Sequence, residues 1–260
     1  MGSVVDLVAD LGEGFGAYSI GDDKALLEIV SSANIACGFH AGDPNIMAET
    51  VAECVRRGVS IGAHPSFPDL RGFGRRTMDL TADEVRNDVL YQVGALSGIA
   101  AYHGVEVSHI APHGRLGNLV ATRSDYAAAV ADAAAGLRSD MIILAQEGEL
   151  SKAAAARSLL VATVGIVDRG YAEDGTLVPR NQQGAFVVEP KRVVERTIRM
   201  VCEGLIETVV GTDIPVTVDT LLLHGDNPDA VGLARLIRSE LSASGVEIAP
   251  LSQVISARSR

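Results

Sequence analysis

The sequence predicts an α/β protein, a (β/α) barrel with seven or eight parallel strands in a single domain spanning residues 1–260. Three observations carry this. Short β-rich runs alternate with helical stretches along the whole length, which implies repeated parallel β/α units. No composition shift or Pro/Ser-rich linker divides the chain. Ionisable residues gather just past the strand ends, where a parallel barrel assembles its site. A chain of 260 residues, 47% apolar and 21% charged, can bury a full core.

Each element follows from local pattern. Residues 4–9 are a short apolar run interrupted by Asp6, then 12–22 read as loop. A strand at 33–37 leads into a helix over 43–57, where Asp43 before Pro44 is a start signal. After a strand at 59–63 comes an irregular stretch, 64–81. It ends at Thr81 with Glu84 three residues on, a capping box that opens a helix over 82–103. Strands at 107–110 and 141–144 flank a helix over 124–137 whose alanines form a small-residue face. A strand at 160–167 is followed by the long loop 168–189 and a helix over 190–207. The chain closes with a strand at 217–223, a helix over 229–242 and a strand at 246–248. The three long loops each follow a strand, so they are expected to wall the site.

Composition removes whole classes of function. A net charge of −11 argues against a nucleic-acid surface, which needs clustered Lys and Arg. No apolar run reaches the roughly 18 residues of a membrane span, and the amino terminus lacks a basic region followed by an apolar one. Three cysteines are too few and too scattered for a disulfide framework or a zinc knuckle, which fits a cytoplasmic protein.

The polar residues past the strands are the chemical signal. Asp10 and Glu13 follow the first strand, His40 and Asp43 the second, His64 the third and His113 the fourth. Asp168 and Arg169 follow the sixth, and His224 and Asp226 the seventh. Each alone has a bland reading as a turn residue or helix cap, but four histidines placed this way point to one rim. His103, at a helix end, and His109, in a strand, read as structural or surface. Two chemistries remain open: a divalent metal on Asp10, His40 and His113, or metal-free acid/base catalysis by Asp10, Glu13, His40 and His113. Gly12, Gly14 and Ala17 match a dinucleotide fingerprint only weakly, since loop follows them and Asp10 and Glu13 would repel a pyrophosphate.

Several strings resemble the LamB/YcsF family, the A-subunit proteins of 5-oxoprolinase. They are Asp10-Leu11-Gly12-Glu13-Gly14, the twelve residues Ser32 to Asp43, and Gly62-Ala63-His64-Pro65 with Asp69 and Gly72-Phe73-Gly74-Arg75-Arg76. Pro112-His113-Gly114, Asp168-Arg169-Gly170-Tyr171 with Pro179-Arg180, and His224-Gly225-Asp226 continue the match to the end of the chain. The resemblance implies a barrel related to the polysaccharide deacetylase and glycoside hydrolase barrels. It implies ATP-dependent opening of 5-oxoproline to glutamate with separate, carboxylase-like partner subunits, ATP activating the lactam carbonyl as a phosphorylated imidate-like species. Asn34, His64, Arg115, Asp168, Arg169, Arg180, His224 and Asp226 are then expected to bind substrate.

The sequence also departs from that family's pattern. Ala111 stands where the family has lysine, Gly117 where it has tyrosine, Val8 where it has asparagine and Val164 where it has glutamate. Losing a lysine and a carboxylate together is physically coherent, because either alone would be left unpaired in a buried place. The expected function is therefore a hydrolase acting on a lactam or cyclic amide C–N bond, with an altered, more apolar substrate. The alternatives are a repurposed barrel enzyme with a different biosynthetic reaction, or a non-catalytic binding subunit.

Overall fold

A computed structural model describes residues 3–225 and 229–258. Seven parallel strands close on themselves: β1 (Val4–Leu11), β2 (Ser32–Ala36), β3 (Ser60–His64), β4 (His109–Ile110), β5 (Ile142–Ala145), β6 (Leu160–Ile166) and, after the two strands of a side hairpin, β9 (Thr220–Leu223). Closure comes from β1, which pairs with β2 from Val8 to Leu11 and with β9 from Asp6 to Ala9. An eighth parallel strand, β10 (Glu247–Ile248), lies against the first two residues of β1 outside the closed ring. The hairpin is β7 (Leu205–Glu207) with β8 (Asp213–Pro215), antiparallel.

The helices are α1 (Asp23–Leu26), α2 (Pro44–Arg57), α3 (Ala82–Tyr102), α4 (Gly114–Val120), α5 (Ser124–Leu137), α6 (Glu149–Ala155), α7 (Pro190–Cys202), α8 (Ala230–Ala243) and α9 (Leu251–Arg258). Their start signals act as the sequence implies. Asp43 caps α2 by accepting from Asn45 N at 2.8 Å and Ile46 N at 3.1 Å, and Thr81 with Glu84 closes the capping box of α3. Buried alanines of α5, Ala127, Ala131 and Ala134 among them, let that helix pack closely on α3.

Some elements differ from expectation. The helix expected over 190–207 stops at Cys202, because Gly204 turns the backbone at φ +66° into β7. Helices α1, α4, α6 and α9 are short pieces without long apolar periodicity. The last closes the amino-terminal end of the barrel: Leu251 and Ile255 join Val8, Ile142, Leu144 and Val164 in an interior apolar cluster. Arg258 anchors it to Asp219 at 2.7 Å.

Alternation along β1 sorts the two sides of the barrel wall. Val5, Leu7, Ala9 and Leu11 pack outward under the helices, whereas Val8 joins the interior cluster, flanked on the same face by Asp6 and Asp10. Asp6 is fully buried and accepts from the hydroxyls of Ser31 and Ser32 at 2.7 Å and Thr220 at 2.6 Å. Burial outweighs these donors and lifts its carboxyl from 3.8 to about 6.

The folded state therefore holds the Asp6 proton more tightly than the unfolded chain. Stability from this group is present at low pH and is lost as pH rises through about 6. Asp6→Asn cannot titrate. Relative to that variant, the wild type is expected to gain up to about 3 kcal/mol in chemical denaturation as pH falls from 7 to 4. Parallel pH dependence of the two proteins would contradict it.

Candidate active site

The carboxyl ends of β1 to β4 deliver one polar half of the barrel mouth. β1 runs to Leu11, so Asp10 is part of the strand, directly across from Asn34 in β2. Glu13 lies just past it. His40 sits in the loop after β2, between Gly38 and Gly42, both at positive φ. A Cβ at Gly42 would meet the carbonyls of Ala36 and Gly12 at 3.0 Å, so glycine lets these two loops lock together. His64 is the last residue of β3, and His113 stands at the N-cap of α4 without making a capping bond, which leaves its ring for the site.

These side chains converge. Glu13, His40, His64 and His113 each place a ligand atom within 4.8 Å of the others, and all four are buried. His40 and His113 stack with ring centroids 3.8 Å apart, and His64 meets both edge-on. Glu13 Oε1 is 3.2 Å from His40 Nε2 and 3.4 Å from His113 Nδ1. The outer nitrogens of two rings are committed: His64 Nδ1 donates to the Ala111 carbonyl at 2.6 Å, and His113 Nε2 donates to the Phe73 carbonyl at 3.0 Å. In the neutral rings, His64 Nε2 and His113 Nδ1 are then lone pairs facing each other at 2.9 Å. Asp10 Oδ1 lies 3.3 Å from the same His64 Nε2. Four acceptors thus face one another, and only a further proton or a cation relieves them.

Two of the three rings are held neutral by their surroundings. Burial, reinforced by the field of neighbouring cationic groups, holds His40 and His113 well below the usual histidine range. Burial alone would raise Asp10; when His64 Nε2 carries that further proton, its charge and hydrogen bond, with His224 and the Asn34 amide, bring Asp10 well below the usual carboxylate range. His40 Nδ1 is buried with no hydrogen-bond partner. Phe73, whose carbonyl orients His113, has the left-handed φ of +55° and packs edge-on against His40 and His113.

A second centre comes from the strands on the other side. His224, just after β9, points Nδ1 at Asp168, 2.9 Å from Oδ1 and 3.1 Å from Oδ2. Burial opposes protonation of His224, yet the hydrogen bond and charge of Asp168, with Asp10 beyond, raise its pKa above the usual value. Arg180 lies 3.2 Å from His224 Nε2. Between the two centres the lining is apolar. Ala111, Val164, Ile166 and Leu222 keep 6–9% of their exposure, while Ala162 in the same interior cluster keeps none, so the former face the open end.

Several expected site residues have other roles. Asn34 is fully buried, with both amide atoms used by Asp10 and His109, so it supports the site from beneath. Arg169 is buried and spends its donors on the carbonyls of Ala185 and Val178, at 2.9 and 2.5 Å, which pins the loop 168–189. Arg115 is tied through Nε to Thr77 Oγ1 at 2.9 Å. Asp43 caps α2 and accepts from Gly16 N at 2.8 Å. The converging metal-type set takes Glu13 and His64 in place of Asp10 beside His40 and His113. Asp226 lies outside the described residues. His109 was legible only as a strand histidine; it is wholly buried inside the barrel against Asn34.

Gly74, at φ +65°, forms the wall behind the rings: a Cβ there would stand 2.3 Å from Ser66 Oγ and 2.9 Å from both His113 Cδ2 and His40 Cβ. Gly74→Ala is expected to cost about 1–2 kcal/mol through its left-handed backbone alone. It should also shift the ring resonances of His40 and His113 in an NMR spectrum; unchanged rings and stability would contradict this packing.

Comparison with known proteins agrees with this geometry. The 5-oxoprolinase A-subunit from Methylococcus capsulatus is 49% identical over 252 residues, covering 96% of this chain and 97% of its own. The crystal structure of the lactam utilization protein from Thermus thermophilus superposes with a TM-score of 0.91 at 39% identity, covering 95% of this chain and 99% of that one. The catalytic domain of a peptidoglycan N-acetylglucosamine deacetylase from Eubacterium rectale shares the fold alone, with a TM-score of 0.51 at 16% identity over 98% of this chain and 90% of its own. The LamB/YcsF family model matches residues 5–256, and the chain belongs to that family.

Proposed function

We propose that this chain is the lactam-opening subunit of a 5-oxoprolinase-type hydrolase, acting in the cytoplasm as one domain with carboxylase-like partner subunits that bring ATP to the reaction. The observation that carries this reading is the facing set of buried acceptors, Asp10, Glu13, His64 and His113, opposite the His224–Asp168 pair. Relatives named as the A-subunit of 5-oxoprolinase and as a lactam utilization protein support it. No helix among the described residues is long and apolar enough to cross a membrane.

The residues present fit a divalent cation. Three imidazoles and a carboxylate are a transition-metal donor set, and main-chain carbonyls on the outer nitrogens of His64 and His113 fix the ring orientation as at metal sites. Glu13, His40, His64 and His113 would hold it. A cation there would polarise a carbonyl or lower the pKa of a bound water. Hydrolysis of a lactam breaks the C–N bond as a water oxygen bonds to the carbonyl carbon; one water proton must be accepted and the departing nitrogen must gain one. Asp10, beside His64 Nε2 at 3.3 Å, is placed to accept. His224, its Nδ1–H held by Asp168, would take up a proton at Nε2 once Arg180 turns from that nitrogen to an anionic substrate group, and pass it to the departing nitrogen.

The apolar lining favours a substrate that differs from the family's own. Val8, Ala111 and Val164, three of the four positions where the chain departs from the family pattern, share one interior cluster. Among the described residues of that cluster none is cationic, so a more apolar cyclic amide fits that side better. If lactam opening fails, the readings that stand are a repurposed biosynthetic enzyme or a binding subunit.

The test is reconstitution. With partner subunits and ATP, the chain is expected to open 5-oxoproline or a related lactam, while the chain alone should not release glutamate. Asp10→Ala and His40→Ala should each lower turnover at least about a hundredfold while melting within a few degrees of wild type. Ala111→Lys alone should improve 5-oxoproline turnover little, and the combination with Val8→Asn and Val164→Glu more than the single changes together. Steady glutamate release by the isolated chain, or full gain from Ala111→Lys alone, would overturn the reading.

A further inference from the structure

We propose that His109 is a positioning residue for Asp10, acting through the side-chain amide of Asn34. Room for its ring inside the barrel exists because the paired residue on β3 is Gly62: a Cβ there would stand 2.0 Å from His109 Nε2. Both ring nitrogens are engaged. Nε2 is 2.9 Å from Asn34 Oδ1, and Nδ1 is 2.8 Å from Ser108 Oγ, itself 2.9 Å from Ser60 Oγ.

The roles along this line are forced. Asp10 as a carboxylate only accepts, so Asn34 turns Nδ2 toward it, at 2.9 Å, and Oδ1 away. Asn34 Oδ1 then accepts a hydrogen bond from His109 Nε2, which leaves Nδ1 an acceptor beside Ser108 Oγ, whose one hydroxyl proton is shared between Nδ1 at 2.8 Å and the Ile61 carbonyl at 2.9 Å. A flipped amide would set oxygen against the Asp10 carboxylate and N–H against N–H at His109. The donor on His109 therefore selects the one amide orientation that pins Asp10 Oδ1. Burial, with the repulsion that a protonated His64 would add, brings His109 down to about 3, so the ring stays neutral and acts through direction, not charge. An asparagine amide does not pass protons, so the line orients and does not conduct.

The catalytic consequence rests on the role given to Asp10 above; the tautomer does not. Nitrogen-15 NMR of the histidine rings is expected to find His109 as the Nε2–H tautomer in the wild type. In Asp10→Asn, where Asn34 is free to turn, the proton should move at least partly to Nδ1. A wild-type Nδ1–H tautomer, or no change in Asp10→Asn, would overturn the proposal whether or not lactam opening is observed. In the reconstituted enzyme, His109→Leu should lower kcat about ten- to a hundredfold with KM changed much less, and His109→Gln should recover part of it. If His109→Leu does not fold, Ser108→Ala keeps the ring and should loosen the tautomer with a smaller loss of kcat. Unchanged kcat in a folded His109→Leu or in Ser108→Ala would contradict the positioning role.

Discussion

Two main-chain carbonyls set the chemistry of this molecule. The Ala111 carbonyl takes the Nδ1 proton of His64, and the Phe73 carbonyl takes the Nε2 proton of His113. Because each neutral imidazole carries one N–H, the nitrogens that face inward are left as lone pairs, and they meet beside Glu13 and Asp10. Everything around serves that arrangement. Gly74 clears the space behind the rings, Phe73 accepts an unfavourable backbone conformation to present its carbonyl, and Asn34 fixes the neighbouring carboxylate from below.

The closed parallel barrel makes the convergence possible. β1 pairs on both sides, so Asp10 is held in register with β2 and Asp6 with β9 on one interior face. Below the site, hydroxyls surround Asp6 and α9 plugs the far end, which leaves the carboxyl-terminal mouth to face solvent. The mouth has a polar side from β1 to β4 and an apolar side from β6 and β9 with Ala111. Under the proposed function, that asymmetry would set proton handling and cation holding apart from the apolar body of a substrate.

Much of this was legible in the sequence, and the reasons are local. Strand-then-polar repetition located Asp10, Glu13, His40, His64, His113, Asp168 and His224, because parallel strands bring their carboxyl ends to one rim. Asp43 before Pro44 and the Thr81 capping box depend on a few neighbouring residues, so they read directly. Val8, Ala111 and Val164, which the sequence marks out only as departures from the family pattern, are brought into one apolar cluster by the structure. What was hidden depends on contacts between distant residues. Asn34 and Arg169 sit in specific motifs, yet their donors and acceptors are consumed internally by His109 and by the loop 178–185. His109 looked incidental because its importance comes from Gly62 and Asn34 on adjoining strands, which no spacing along the chain reveals. The short helix α9 has one apolar turn, Leu251, Val254 and Ile255, too brief to stand out along the chain.

The most direct test is a titration of zinc ion into protein labelled with nitrogen-15 in its histidines, at neutral pH. The geometry predicts that His64 Nε2 and His113 Nδ1 shift together on saturation while His64 Nδ1 and His113 Nε2 remain protonated. Glu13→Gln and His113→Ala should weaken uptake about tenfold or more. If His64 is instead doubly protonated at neutral pH and its resonances and those of His113 do not respond to the ion, the facing nitrogens share a proton and the cation-holding site is wrong.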